Sequence, residues 1–222
     1  MKKQILTIAS LALFVGAVIL SGCKKDDTTA PVITLTGDKT VVVTFMSATS
    51  YADPGATATD DQDGTITVVV TGTVNMASAG DYTLTYTATD AAGNSATETR
   101  TVTVNAGPYL AASYTVHDYT DTPTYSDNGT YPESITSSSV TNNKINFTKF
   151  AFYTNATAYA TISGTTITVP SQTITCGVPT AADRNFTGTG TFTTSPPYTV
   201  TINYTEVTNG TTSTGHGVYT KL

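Results

Sequence analysis

From about residue 31 onward, apolar side chains alternate one for one with threonine. In Tyr82-Thr83-Leu84-Thr85-Tyr86-Thr87-Ala88-Thr89 the even positions point one way and the threonines the other. Val102 and Val104 alternate with Thr101 and Thr103, and Val41 with Val43 and Val68 with Val70 follow the same rule. A period of two fits a strand with one buried and one wet face, and no apolar run at helical spacing competes with it. Threonine suits the wet face because it is both β-branched and polar. It replaces charge there: Asp, Glu, Lys and Arg make up 12% of the chain, about half the usual share. The chain is therefore expected to be all-β.

The first residues obey a different pattern. Lys2 and Lys3 precede a mostly apolar stretch, Ile5 to Leu20, that is shorter than the roughly 20 residues a membrane-spanning helix needs. With these flanks it reads as a cleaved export signal, residues 1–22. Leu20-Ser21-Gly22-Cys23 follows directly and resembles the lipobox of bacterial lipoproteins. The resemblance implies that the Cys23 thiol carries a diacylglycerol and its new amino group a third acyl chain. One chain anchors a protein only reversibly, whereas three hold it on the membrane. Lys24, Lys25, Asp26 and Asp27 come next. Lys follows the cysteine, so the Asp-based inner-membrane retention signal of enterobacteria is absent. Cys-Lys-Lys-Asp-Asp is similar to the charged signal that sends lipoproteins of Bacteroidota to the exterior face of the outer membrane. The other readings are a solvated tether, residues 23–30, and a periplasmic-facing anchor. If Cys23 is acylated, Cys176 has no partner, because the chain has two cysteines.

About 200 residues remain after the leader, enough for two domains. The first is expected over 31–105, where six or seven short strands are punctuated by Asp53-Pro54-Gly55, Asp63-Gly64, Ala79-Gly80 and Gly93-Asn94. Such a pattern indicates an antiparallel sandwich, and without a Cys…Trp…Cys core it is not an antibody-type domain. The segments Pro31-Val32-Ile33-Thr34-Leu35, Tyr51-Ala52-Asp53-Pro54-Gly55-Ala56, Gly80-Asp81-Tyr82-Thr83-Leu84-Thr85-Tyr86 and Asp90-Ala91-Ala92-Gly93-Asn94 carry a family resemblance. They are similar, in order and spacing, to a bacterial surface Ig-like family, a domain of unknown function also described from a pesticidal crystal protein. That resemblance implies a spacer or adhesion module. Asp60, Asp61 and Asp63 before Gly64, with Asp90 from a neighbouring loop, suggest either a calcium loop or a solvated turn. The glutamate that would complete an EF-hand is missing.

Gly107-Pro108 marks the break to a second domain, 108–222. Alternation there gives about eight strands: Ile145 with Phe147, Phe150 with Phe152, Ala158 to Ile162, Ile167 with Val169, and Tyr198 to Tyr204 among them. An up-and-down barrel and a second sandwich both fit. Gly188 and Gly190 suggest a bend or bulge. Ile162-Ser163-Gly164-Thr165-Thr166-Ile167-Thr168-Val169-Pro170-Ser171-Gln172 resembles the lipocalin-like C-terminal domains of Bacteroidota lipoproteins. In a barrel, the mouth is the default ligand site. Tyr119, Tyr125 and Tyr131 lie in a turn-rich stretch beside Asp118, Asp121 and Asp127. Aromatics beside carboxylates can stack on and hydrogen-bond a sugar; the alternative is that they pack over the barrel end.

Other chemistry is poorly supplied. The net charge is −6 with no Lys/Arg cluster, which argues against nucleic acid. His117 and His216 lack metal-ligand spacing, and His117 and Asp118, adjacent on a strand, point to opposite faces. No Gly-x-Ser-x-Gly elbow or phosphate-cradling loop appears. The expected function is a non-enzymatic, lipid-anchored surface protein whose distal β-domain binds a glycan or protein, with no cofactor unless calcium. A structural envelope protein without a ligand, and a hydrolase, are the competing readings.

Overall fold

The computed structural model describes residues 26–177 and 181–222. Cys23, Lys24 and Lys25 lie outside them. The expected all-β architecture is what forms: two β units joined by one four-residue helix.

Strands β1 (Val32–Leu35), β3 (Ala56–Asp60) and β4 (Gly64–Ile66) make one sheet of the first unit. The second sheet has the order β2-β7-β6-β5, built from β2 (Thr40–Thr44), β7 (Ser95–Asn105), β6 (Gly80–Thr89) and β5 (Val68–Thr71). One pairing departs from the antiparallel expectation: β2 runs parallel to β7, with Val41 opposite Val102 and Val43 opposite Val104. The alternation puts Leu84, Tyr86, Ala88, Val102 and Val104 into the core. Arg100 follows the inward parity of β7 too and is fully buried. Its guanidinium pairs with Asp53, and its Nε donates to the Asp38 carbonyl at 2.9 Å. Its Nη1 donates to Tyr86 Oη at 2.8 Å, and Tyr86 in turn donates to Asp53 at 2.7 Å. Burial, then Asp53, pushes the Tyr86 phenol up to about 12. Asp53 is thus the counter-ion of a buried cation as well as a turn residue.

The second unit is a closed eight-stranded antiparallel barrel, which decides between barrel and sandwich. Its strands are β8 (Ala112–Thr122), β9 (Ser126–Ser137), β10 (Lys144–Phe147), β11 (Ala158–Ser163), β12 (Thr166–Cys176), β13 (Ala182–Phe192), β14 (Thr199–Thr208) and β15 (Thr211–Lys221). Consecutive strands pair, β15 returns to β8, and β9 closes onto β10. Two local expectations change. Phe150 and Phe152 are not a strand but part of the β10–β11 loop, where Ala151 and Phe152 take left-handed backbone angles of 50° and 64°. Gly188 and Gly190 do not bulge; the irregularity falls on β12 between Val169 and Gln172, around Pro170. The glycines are needed because β13 and β14 approach closely. A Cβ at Gly190 would lie 2.2 Å from the Thr201 carbonyl oxygen, and one at Gly188 would lie 2.7 Å from that of Asn203.

The helix α1 (Gly107–Leu110) joins the two units, with Pro108 in its first turn. The two units are docked. Ala79 and Gly164 exchange backbone hydrogen bonds at 3.2 and 2.7 Å. Asn143 receives the Ala106 N–H at 2.7 Å and donates to the Val104 carbonyl at 3.0 Å. Phe45 packs edge-on against Tyr109 and Phe192 at 5.0 and 5.6 Å. Phe45, Met76, Val104 and Ala106 belong to one buried cluster continuous with the barrel core. Among the described residues, no helix is long and apolar enough to cross a membrane.

Candidate functional site

These contacts orient the barrel. The β11–β12, β13–β14 and β9–β10 connections face the first unit, so the other four lie at the far end. The backbone carbonyl of Asp27, within the tether, accepts a hydrogen bond from Asn94 at the opposite end of β7 from Asn105. β7 has 11 residues, roughly 35 Å of strand. The tether therefore enters at one end of the sandwich, the barrel sits on the other, and the barrel mouth opens away from both.

That mouth contains a cavity of about 380 Å³, at the small end of the roughly 300–1,000 Å³ range of ligand sites. The β10–β11 loop supplies Phe152, Tyr153 and Asn155, while Asn128, Tyr204 and Glu206 come from the barrel wall. Phe152 leaves 44% of its surface exposed beside the opening. Glu206 pairs with Arg184 and accepts from Thr208 Oγ1 at 2.9 Å. The Tyr153 hydroxyl points to the same carboxylate at 3.3 Å, and the Arg184 guanidinium lies 4.5 Å from the Tyr153 ring centroid. Burial, then Glu206, raises Tyr153 to about 12, so it remains a hydrogen-bond donor at neutral pH. Cation and anion cancel on the floor of the cavity. What the lining leaves for a ligand is an aromatic face, amides and hydroxyls, with its carboxylate Glu206 already paired.

Beneath the floor sits Asp118, with no solvent exposure. Its Oδ1 accepts from Tyr204 Oη at 2.9 Å and Asn128 Nδ2 at 3.0 Å, holding two mouth residues in place. Among the described residues its Oδ2 has no hydrogen-bond partner, and neither does Glu133 Oε2 further in. Burial pushes Asp118 up to about 6 against the hydrogen bonds from Asn128 and Tyr204, which lower it. Burial also raises Glu133 and Tyr131. Cys176 is buried, and its thiol is raised by burial as well.

The three tyrosines singled out from the sequence are not one group. Tyr131 is inside the barrel, 8% exposed. Tyr119 and Tyr125 are on the outer wall by the rim. There both histidines of the chain flank Tyr119, stacked at centroid distances of 4.4 Å for His117 and 4.6 Å for His216. Tyr125 stacks more loosely at 6.1 Å and is 64% exposed. Each histidine is held by a carboxylate: His117 Nε2 by Asp127 at 2.8 Å, and His216 Nδ1 by Asp121 at 3.0 Å. Tyr119 Oη lies 3.0 Å from His117 Nδ1, so a neutral His117 protonated on Nε2 satisfies both contacts. His117, through its hydrogen bond, and then the Gly129 N–H hold Asp127 below the usual carboxylate range. His117 and Asp118 do point to opposite faces, as their adjacency on a strand requires.

The acidic loop also divides. Asp60 and Asp61 each bring one oxygen to within 4.8 Å of the other and of Asp27, an oxygen-rich grouping of the kind hard cations bind. Asp63 instead accepts the Ala91 N–H at 2.7 Å. Asp90 closes its own turn through Asn94, whose backbone and side chain both donate at 2.8 Å. Of the sorting residues, Asp26 and Asp27 are described and lie outside any strand.

Tyr153, Arg184 and Glu206 were not singled out by the sequence pattern, although one signal points to them. Between Lys149 and Lys221 the charged residues are Asp183, Arg184 and Glu206 alone. An ion pair is the ordinary reason for two charges to survive on the inward parity of neighbouring strands.

Comparison with known proteins adds three findings. No curated protein matches the sequence. Among solved structures, the lipoprotein BT2262 from Bacteroides thetaiotaomicron is similar at 22% identity and TM-score 0.36, covering 86% of this chain and 100% of that one. Residues 33–104 match the family model of the bacterial surface protein Ig-like domain, so the first unit of the chain is a sandwich of the kind that family describes.

Proposed function

We propose that this chain is a lipid-anchored protein of the bacterial surface, held by acylated Cys23, whose Ig-like unit is a spacer and whose barrel mouth binds a neutral carbohydrate. The observation that carries this reading is the charge-balanced aromatic cavity at the end of the molecule opposite the tether. A spacer is useful when something is presented, and the polar groups of the cavity are fixed by one another in advance. The match to a surface-protein Ig-like domain supports a bacterial surface location in general.

The binding test is calorimetry of the chain from Lys24 onward against a panel of neutral sugars. Saturable binding weakened roughly tenfold or more by Tyr153→Ala is expected, the loss of about one good aromatic contact. No binding across the panel would favour a structural envelope protein; binding indifferent to Tyr153→Ala would move the site elsewhere. The location is tested by protease treatment of intact cells. Full-length protein should be degraded, while protection from protease would place it on the periplasmic face, and a Cys23→Ala chain should be lost from the membrane fraction.

A further inference from the structure

The mouth does not end at its rim. Thr214 and Tyr204 line both the mouth cavity and a shallow trough of about 510 Å³ on the outside of the barrel. Asp121, Thr187, Thr189 and Asn203 line the trough as well. It adjoins the aromatic stack directly, because Asn203 is the cross-strand neighbour of His216 and His216 that of Tyr119. The register extends this into one outward-facing row across six strands: Thr168, Thr189, Asn203, His216, Tyr119 and Asp127. Five inter-strand steps make it roughly 24 Å long.

Two properties of this wall point to a ligand. Aromatic rings on the outside of a barrel have no core to fill, yet His117, Tyr119 and His216 are stacked and each histidine is fixed by a carboxylate. Tyr125 offers an exposed ring at the rim. The charged residues here are Asp121 and Asp127, each facing a histidine, and neither the row nor the trough includes Lys or Arg. A phosphate, sulfate or uronate chain would find no lysine or arginine to neutralise it, and both histidines are already held by carboxylates. A neutral polyhydroxylated chain finds hydroxyls, an amide and ring edges.

Resting on the carbohydrate reading of the mouth, we infer that the ligand is a chain rather than a single unit. One end of a neutral oligosaccharide enters the cavity, and the following rings cross the rim at Thr214 to lie along the outer wall.

Calorimetry with mono-, di- and tetrasaccharides of any series that binds tests this. The affinity of the wild-type chain should rise by roughly tenfold or more from mono- to tetrasaccharide, the equivalent of about one further aromatic contact. In a Tyr119→Ala/Asn203→Ala variant the two affinities should converge, and His216→Gln should reduce the rise, while Tyr153→Ala weakens every length. An affinity independent of length, or a rise that survives both wall variants, overturns the extended site and leaves the mouth reading intact. Absence of binding at every length overturns the mouth reading itself.

Discussion

Asp118 joins two mouth residues through one oxygen and leaves the other buried with no partner among the described residues. Desolvation disfavours the charged carboxylate, so the folded chain takes up its proton near pH 6, about two units above the ordinary aspartate value. The charges of His216 and Asp121 act on the same carboxyl through the barrel wall with opposite effects, the histidine lowering and the aspartate raising it. The linkage has a definite sign. Between about pH 4 and pH 6 the folded state binds more protons at this site than the unfolded state. The resulting stability is fully present below the unfolded value of 3.8 and is lost as pH rises through about 6. The loss is on the order of 3 kcal/mol for this one group. Urea denaturation at pH 4.5 and 7.5 should show the wild-type chain losing stability relative to Asp118→Asn as pH rises; parallel profiles would contradict the assignment. Strand alternation was enough to place His117 and Asp118 on opposite faces. It could not show which groups meet Asp118 inside the barrel, because the partners Asn128 and Tyr204 reach it through tertiary pairing.

At the scale of elements, the strands were legible because threonine and apolar residues alternate, and a period of two has few readings. The loops were less so. Phe150 and Phe152 alternate like strand residues, but the left-handed angles at Ala151 and Phe152 turn the chain. Phe150 goes into the core and Phe152 to the rim. The glycines of β13 show the same ambiguity: a glycine in a strand marks either a bulge or a close approach, and only the neighbouring strand decides. Gly190→Ala should therefore be costly despite its small size, since the added carbon meets backbone at Thr201 and Ile202. A loss of at least about 2 kcal/mol in denaturation is expected; a neutral effect would mean that β13 and β14 can separate without penalty. The tyrosine cluster divided for a related reason. Tyr119 directly follows the inward Asp118 and so points outward, while Tyr131, opposite Val116, stays inside; the β8–β9 register shift leaves Asn128 unpaired in the ladder and turns Asp127 outward.

For the whole molecule, the rigidity of the junction between the two units has no signature in the sequence. Phe45, Tyr109 and Phe192 come from a loop, a helix and a barrel strand that no local pattern links. Their packing makes the spacer and barrel one unit, so calorimetry should show a single cooperative transition. Phe45→Ala should cost about 3–5 kcal/mol and split that transition in two; two independent transitions in the wild-type chain would mean that the units are not coupled. The rigid junction is what directs the mouth away from the tether, and the proposal that the mouth is a carbohydrate site rests on that geometry. Its most direct test is amide chemical-shift mapping by NMR, titrating the best-binding neutral sugar into the chain from Lys24 onward. Shifts concentrated at Asn128, Phe152, Tyr153 and Tyr204 are the expected result. Shifts confined to the Ig-like unit, or none at saturating sugar, would contradict it.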